Sequence, residues 1–307
     1  MKICKPLELI GSDQERGIAL GVFDGLHLGH RHILQELMLV CEQRSLRPAV
    51  FTFTSPFGPE ENRRLIEIEE KYAVLEAIGI EDVFVADMTD DFRSISALEF
   101  LQDILQMKLN VKTIVVGEDA RFGAGAQGDI DFLADYANKS DLTYKVSSDV
   151  LYRGEKISSS RIRNCLAQGE LEAVTAMLTQ PYKLRGVVEH GRGIGSRLGF
   201  PTANFTYPPK RARLHKGVYA TVAYCTAGTF YAISNVGVSP TIEEDTPLRV
   251  ETYLYDFEGS LYGEIIEVEF LSLIRPELRF DSVEDLIRAV KEDLENVSKW
   301  HRSHMVK

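Results

Sequence analysis

One change in hydrophobic period governs what this chain can fold into. Up to about residue 180, short β-rich runs alternate with helix-length segments: Ile18–Phe23, a helix from Leu28 to Gln43, Pro48–Phe53, a helix near Arg64–Ile78, and Val83–Ala86. The alternation continues through a helix near Ala97–Leu109, the strand Thr113–Val116, a helix over Ile130–Ala137, and Thr143–Val146. Strands separated by helices of ten or more residues make βαβ units, so this half is predicted to be an α/β domain with a doubly wound parallel sheet. Ligands of such sheets bind at the carboxyl ends of the strands. After a helical stretch over Ser158–Leu178 the pattern changes. Tyr182–Val188, Val218–Tyr224, Thr229–Val236, Arg249–Tyr255 and Ile265–Phe270 are β-rich runs divided by Gly, Pro and polar turns. That is the pattern of an antiparallel β-barrel or sandwich. A final segment, Ser282 to about Trp300, carries Val283, Leu286, Ile287, Val290 and Leu294 at helical spacing behind Ser282 as N-cap, and should cover the barrel. Period and composition change together near Pro181, which predicts domains at 1–181 and 182–307.

Two domains suit 307 residues at about 150 residues each. A composition of 44% hydrophobic and 26% charged residues excludes a disordered or fibrous chain. No apolar run approaches the ~20 residues that span a bilayer, and Pro6 and Glu8 interrupt the start where a signal peptide needs an unbroken apolar stretch. A cytoplasmic protein is therefore expected. Cys4, Cys41, Cys165 and Cys225 are widely spaced, without a C-x-x-C pair, and read as reduced thiols. A net charge of -11 argues against nucleic-acid or anionic-membrane partners. Pro181–Lys216 departs from that balance, with eight Lys or Arg against Glu189 alone, or 8 − 1 = +7. A small anionic ligand or a solvated basic surface would each account for it.

The first constellation is IALGVFDGLHLGH, residues 18–30, in which an apolar strand runs through Gly21, Phe23, Asp24 and Gly25 into His27, Gly29 and His30 at the start of a long helix. Two imidazoles three residues apart at a helix N-terminus share a face with unpaired backbone N–H groups, a good seat for phosphate. Imidazole donors aimed at an α-phosphate would stabilise the charge that develops in nucleotidylyl transfer, and no nucleophilic side chain is needed. This string resembles the H-x-G-H nucleotidyltransferases, specifically the adenylylating module of the bacterial bifunctional riboflavin kinase/FAD synthetases. ISSSRIR at 157–163 resembles that family's second nucleotide motif, and VGEDARFG at 116–123 its flavin- and adenosine-side loop. The resemblance implies His27 and His30 on the ATP phosphates, Asp119 near the nucleotide, Phe122 at the flavin, and Ser159, Ser160, Arg161 and Arg163 over the triphosphate. Two departures stand out. FTSPF at 53–57 lacks the histidine of the family's Pro-His-Pro, and Ala120 replaces a usual Phe. GAGAQG at 123–128 satisfies G-x-G-x-x-G, but Glu118–Phe122 separates it from its strand, so a nicotinamide site is not expected.

The second constellation is HGRGIGSRLGFPTANF, residues 190–205. Gly191, Gly193, Gly195 and Gly199 free the backbone to wrap phosphate. In PTAN, Pro201 precedes Thr202, a hydroxyl, and Asn204, a carbonyl; these are neutral oxygens of the kind Mg²⁺ accepts beside phosphate. The string resembles the riboflavin kinase signature, and GVYATV from Gly217, SNVGVSPTI from Ser234 and VETYLYDF from Val250 follow in order. Ser196 stands where the family often has Arg, and Tyr253 where His is frequent. The resemblance implies that Glu251 is the general base toward the ribityl 5′-hydroxyl and that RPELRF, with Arg275, leads into a flavin-side helix. Across nearly the whole chain it implies Mg²⁺-dependent synthesis of FMN from riboflavin and ATP, then of FAD from FMN and ATP. A chain with one working module, or a flavin- or nucleotide-binding regulator without catalysis, are the alternatives. The oligomeric state is left open.

Overall fold

The structure, a computed structural model, describes residues 1–5, 12–54, 63–191, 199–238, 248–280 and 282–304. The chain divides into two compact units, Met1–Ser159 and Ser160–Lys307.

In the first unit, six parallel strands are β1 (Lys2–Cys4), β2 (Arg16–Leu20), β3 (Arg47–Phe53), β4 (Asp82–Ala86), β5 (Val111–Gly117) and β6 (Thr143–Ser147), in the order β1-β4-β3-β2-β5-β6. The chain winds outward from β2 to β4 and then jumps to β5 on its other side. The switch point therefore lies between β2 and β5, where such sheets bind ligands. The sheet is buried on both faces, and successive residues alternate between two apolar layers. Ile18, Phe51, Phe84 and Ile114 pack with Phe100 and Leu105 on one face. Ala19, Val50, Val83 and Val115 pack with Leu34, Leu37 and Leu75 on the other. The second layer belongs to α1 (Leu28–Arg44) and α2 (Ile68–Ile78). The first holds α3 (Asp90–Ser94), α4 (Ala97–Glu99), which continues as a π-helix over Phe100–Lys108, and α5 (Ile130–Ala137). A two-stranded hairpin, β7 (Leu151–Tyr152) and β8 (Glu155–Lys156), precedes the ISSSRIR motif.

The second unit is a nearly closed antiparallel barrel of β9 (Tyr182–Val187), β10 (Ala203–Thr206), β11 (Gly217–Cys225), β12 (Gly228–Val238), β13 (Leu248–Leu254) and β14 (Ile265–Pro276). Their order is β10-β13-β12-β11-β14-β9. Just past β9, the Glu189 N–H donates to the Asn204 carbonyl at 2.7 Å and draws the two edge strands together. The terminal helix α8 (Val283–His304) lies on β11 and β12, with Val297 buried beside Val218, Ala220 and Ile233. The Tyr255 hydroxyl donates to the Leu294 carbonyl at 2.7 Å, and His301 Nε2 meets the Ala232 carbonyl at 3.0 Å.

One expectation from the sequence is corrected. Ser158–Leu178 is two helices, α6 (Ser159–Gln168) and α7 (Leu171–Leu178), because Gly169 adopts φ +80 between them and a Cβ there would meet Leu273 Cδ2 at 2.4 Å. By compactness α6 and α7 group with the barrel: α7 buries Leu171, Val174, Met177 and Leu178 and packs on β9 and β14. The change of period marks the first barrel strand and is blind to helices that pack on it.

Candidate functional site

At the switch point, the turn from β2 to α1 is tightly folded. Phe23, Gly25 and Leu26 all have positive φ, of 52, 85 and 42 degrees. Only Gly25 takes that conformation without steric cost, and strain held by two apolar residues is typical of a site the surroundings over-determine. Phe23 and Leu26 are buried, which keeps the turn in place. His27 is the N-cap of α1, its Nδ1 accepting from the His30 N–H at 3.3 Å. That bond leaves the proton of a neutral His27 on Nε2. The His30 ring stacks on the His27 ring, with centroids 3.7 Å apart, and meets the edge of Phe23 at 5.2 Å. Gly29 sits against this stack, where a Cβ would come 3.2 Å from His27 Cε1. Gly21 lies as close to Phe23, whose ring would stand 3.2 Å from a Cβ.

Burial above all, then the neighbouring His27 and Lys71, holds the His30 imidazole well below its usual pKa, so it is neutral at physiological pH. Its Nδ1 is buried and, among the described residues, has no hydrogen-bond partner. The first turn of α1 carries no acidic residue, so its backbone donors keep their positive potential. Together these features form an anion seat at a helix N-terminus.

The other candidate residues are divided between the two units. Asp24 Oδ1 accepts from the Leu65 N–H at 2.8 Å, and Ser159 Oγ donates to the Asp24 carbonyl at 2.9 Å, which ties the start of ISSSRIR to the histidine turn. Asp119 follows β5 and pairs with Lys156 at 2.9 Å; Lys156 also pairs with Asp149 at 2.8 Å. Ser160, Arg161 and Arg163 lie on α6, in the second unit. Phe122 packs on Phe100 and Phe132 at 6.0 and 6.1 Å, at the margin of the aromatic layer that Ala120 also borders. The Gly123–Gly128 loop serves packing. A Cβ on Gly123 would meet Ala97 at 2.5 Å, and one on Gly128 would meet Phe122 at 2.4 Å.

In the barrel, register brings the second set together. Glu251 on β13 is directly opposite Asn204 on β10 and Asn235 on β12; Asn235 is opposite Val218 on β11, and Val218 opposite Arg275 on β14. Directly paired residues share a face, so Asn204, Glu251, Asn235 and Arg275 form one row across the sheet. Glu251 is exposed and Asn204 buried. Thr202 Oγ1 lies 3.4 Å from Asn204 Oδ1, and Asn204 Nδ2 donates to the Thr202 carbonyl at 3.0 Å. Mg²⁺ at about 2.1 Å from each of two adjacent octahedral ligands needs them roughly 3 Å apart, so the Thr202 and Asn204 oxygens fit it. Gly191 makes room for this turn, since a Cβ would meet Asn204 Nδ2 at 2.6 Å. Gly199 has φ +86 and Pro201 is exposed beside it. Gly193, Gly195, Ser196, Ser55–Phe57 and the end of SNVGVSPTI lie outside the described residues. Arg275 makes a bidentate pair with Asp293 of α8, at 2.8 and 2.6 Å, so its guanidinium holds the helix on the barrel.

Two cations of the +7 stretch are taken up by contacts within the barrel. Lys183 is paired with Glu267 and Glu269, and Arg211 is buried over the Tyr182 ring and donates to the Lys183 carbonyl. Lys71, Lys156 and Asn235 were not singled out as functional from the sequence. Lys71 had a signal, since it stands four residues before buried Leu75 on the apolar side of α2.

A doubly wound unit with an H-x-G-H anion seat, followed by a barrel with PTAN and a strand glutamate, defines a two-module phosphoryl- and nucleotidyl-transfer protein. Residues 10–161 match the family model described as FAD synthetase, and residues 178–301 that of riboflavin kinase. The chain belongs to the family of bifunctional riboflavin kinase/FMN adenylyltransferases. A member from Buchnera aphidicola subsp. Schizaphis graminum is 33% identical over 92% of this chain and 93% of its own. One from Listeria monocytogenes is 32% identical over 92% and 91%. A solved structure described as a macrolide-efflux protein from Streptococcus pneumoniae is 28% identical, with TM-score 0.86 over 98% of this chain and 100% of that one. Among the described residues of this chain, no helix is long and apolar enough to cross a membrane.

Proposed function

We propose that the first unit carries FMN adenylylation and the barrel riboflavin phosphorylation, with the residues gathered above in defined roles. The protein is a flavin-cofactor enzyme that phosphorylates riboflavin to FMN and adenylylates FMN to FAD, with ATP as substrate of both steps. The observation that supports the assignment of sites is that each unit assembles its own set: a stacked imidazole pair capping α1 at the switch point, and the Asn204–Glu251 row beside PTAN.

In adenylylation, an FMN phosphate oxygen attacks the α-phosphorus of ATP and pyrophosphate leaves. The His27 Nε2–H, His30 and the N–H groups of α1 stabilise the charge on the phosphate oxygens. Asp119 and Ser159 take part in nucleotide binding; for Ser160, Arg161 and Arg163, whose arginine forks suit pyrophosphate, the family resemblance is the support. Phe122 borders the flavin. In the kinase step, Glu251 accepts the proton of the ribityl 5′-hydroxyl as its oxygen attacks the γ-phosphorus. Thr202 and Asn204 would hold Mg²⁺, which would neutralise phosphate charge there; Gly191, Gly199 and Pro201 flank that turn, and Gly193 and Gly195 are assigned to the phosphate loop by the resemblance alone. Arg275 acts by fixing α8 beside the flavin. We place the enzyme in the cytoplasm.

Incubation with riboflavin, ATP and Mg²⁺, followed by chromatography of FMN and FAD, tests the whole reading. FMN alone, or neither product, would refute it. Excess EDTA is expected to abolish both products and added Mg²⁺ to restore them; riboflavin phosphorylation that survives EDTA would remove the role of Thr202 and Asn204. The proposed boundary is tested by truncation. A fragment from Tyr182 lacks the α7 cover of β9 and β14, so it should melt lower or precipitate relative to one from Ser160, by several kcal/mol for the loss of four buried apolar side chains at about 1.5–3 kcal/mol each. Equal melting temperatures for the two fragments would put the boundary back at Pro181.

A further inference from the structure

Lys71 of α2 is buried in the first unit, an unusual place for a lysine outside an ion pair. Its ammonium donates to the Val22 carbonyl at 3.1 Å and to Thr52 Oγ1 at 3.0 Å, while Thr52 Oγ1 donates to the same carbonyl at 2.9 Å. This three-centre knot joins the exit of β2, one residue before the strained turn, to the end of β3. Among the described residues the third ammonium N–H has no acceptor. Apart from the Coulombic attraction of Asp24, two hydrogen bonds to neutral oxygens are a modest return for desolvating a cation, which leaves room for a further anionic partner. The anion seat at His27 and His30 supplies the place for one.

We propose that Lys71 is a positioning residue of adenylyl transfer: it fixes the turn carrying Phe23 and Asp24, and its buried charge prepares the seat beside His30 for the phosphates of ATP. The inference rests on the assignment of that seat to the ATP phosphates. Charged and titratable groups facing Lys71 are Asp24 in the turn, Arg64 before α2 and His30 on α1. Burial pushes the Lys71 ammonium down to about 8, with Asp24 opposing and Arg64 assisting. It is therefore mostly charged at pH 7 and loses its proton as pH rises through about 8. Phosphate binding favours the charged form, so the capture of ATP should weaken over that interval.

The test uses the full chain and kcat/KM for ATP in FAD formation from FMN, between about pH 6.5 and 9.5, since this ratio reports groups of the free enzyme. Wild type is expected to fall as pH rises through about 8. Lys71→Met should lose about 10²-fold at pH 7, the usual scale for removing one oriented electrostatic group, and lack that limb. Lys71→Arg, permanently charged, should recover at least part of the loss and also lack the limb. Riboflavin phosphorylation in the same samples should be unchanged and reports on sound protein. A limb near 8 that persists in both variants, or wild-type kcat/KM in Lys71→Met, overturns the proposal. If Lys71→Met does not fold, the limb in Lys71→Arg decides in the same way. His30→Ala run in parallel separates the levels: normal FAD formation there would sink the seat itself, and the Lys71 role with it, whereas a loss there with none in Lys71→Met sinks the Lys71 role alone.

Discussion

Glu251→Gln is expected to lower riboflavin phosphorylation about 10²-fold or more, the usual worth of a positioned general base, while FAD formation from supplied FMN continues. Glutamine keeps the shape and the hydrogen-bonding reach of the side chain but cannot take the proton. Glu251 is exposed in the middle of β13 and belongs to no apolar cluster, so the substitution should leave the melting temperature close to that of the wild type. Its cross-strand neighbours are Asn204 and Asn235, and Asn204 is tied to Thr202, so the carboxylate stands in register with the PTAN turn. A kinase rate within a few-fold of wild type in Glu251→Gln would reject the role and move the search to another acceptor on the same face.

How much of this was legible depended on whether the information was local. The start of α1 could be read because the cap, the turn glycine and both histidines lie within one short string, and the near-continuous apolar runs of β3, β4 and β5 report burial on both faces. The barrel was legible from its repeated β runs, but the row that gathers Asn204, Glu251, Asn235 and Arg275 is a matter of register among five strands, which no single stretch encodes. Only its PTAN member and, by family resemblance, Glu251 and Arg275 were anticipated. The partner of Arg275 was hidden for the same reason, since Asp293 comes from α8. Lys71 was missed because α2 begins with Glu67, Glu69 and Glu70, which make a lysine look like one half of a surface pair. Basic residues of Pro181–Lys216 misled in the opposite direction: summed along the chain they suggest a patch, whereas Lys183 and Arg211 are consumed by barrel contacts. Gly169 shows the same limit, being an interruption that propensity alone tolerates and that only Leu273, far along the chain, explains.

His30→Ala should make FMN accumulate from riboflavin, with FAD formation reduced about 10²-fold or more, equivalent to roughly 2.7 kcal/mol of transition-state stabilisation. The expected size follows from where the ring sits. It is stacked on His27, edged by Phe23 and held neutral by burial, so it is oriented before the nucleotide binds and need not be reorganised during the reaction. Its buried Nδ1 has no partner among the described residues, a cost that a purely structural histidine at this position would avoid. Removing the ring also frees His27 to leave its cap, so part of the loss is one of orientation; His30→Gln, which restores a donor but no stacking, should recover less than the full rate. Riboflavin phosphorylation by the barrel in the same preparation shows whether the chain is sound, and its rate should not change. Wild-type FAD formation by folded His30→Ala would mean that the phosphates of ATP do not lie on this helix terminus. The anion seat would then belong to some other ligand, and the adenylyl-transfer site would have to be sought elsewhere along the carboxyl ends of the parallel strands.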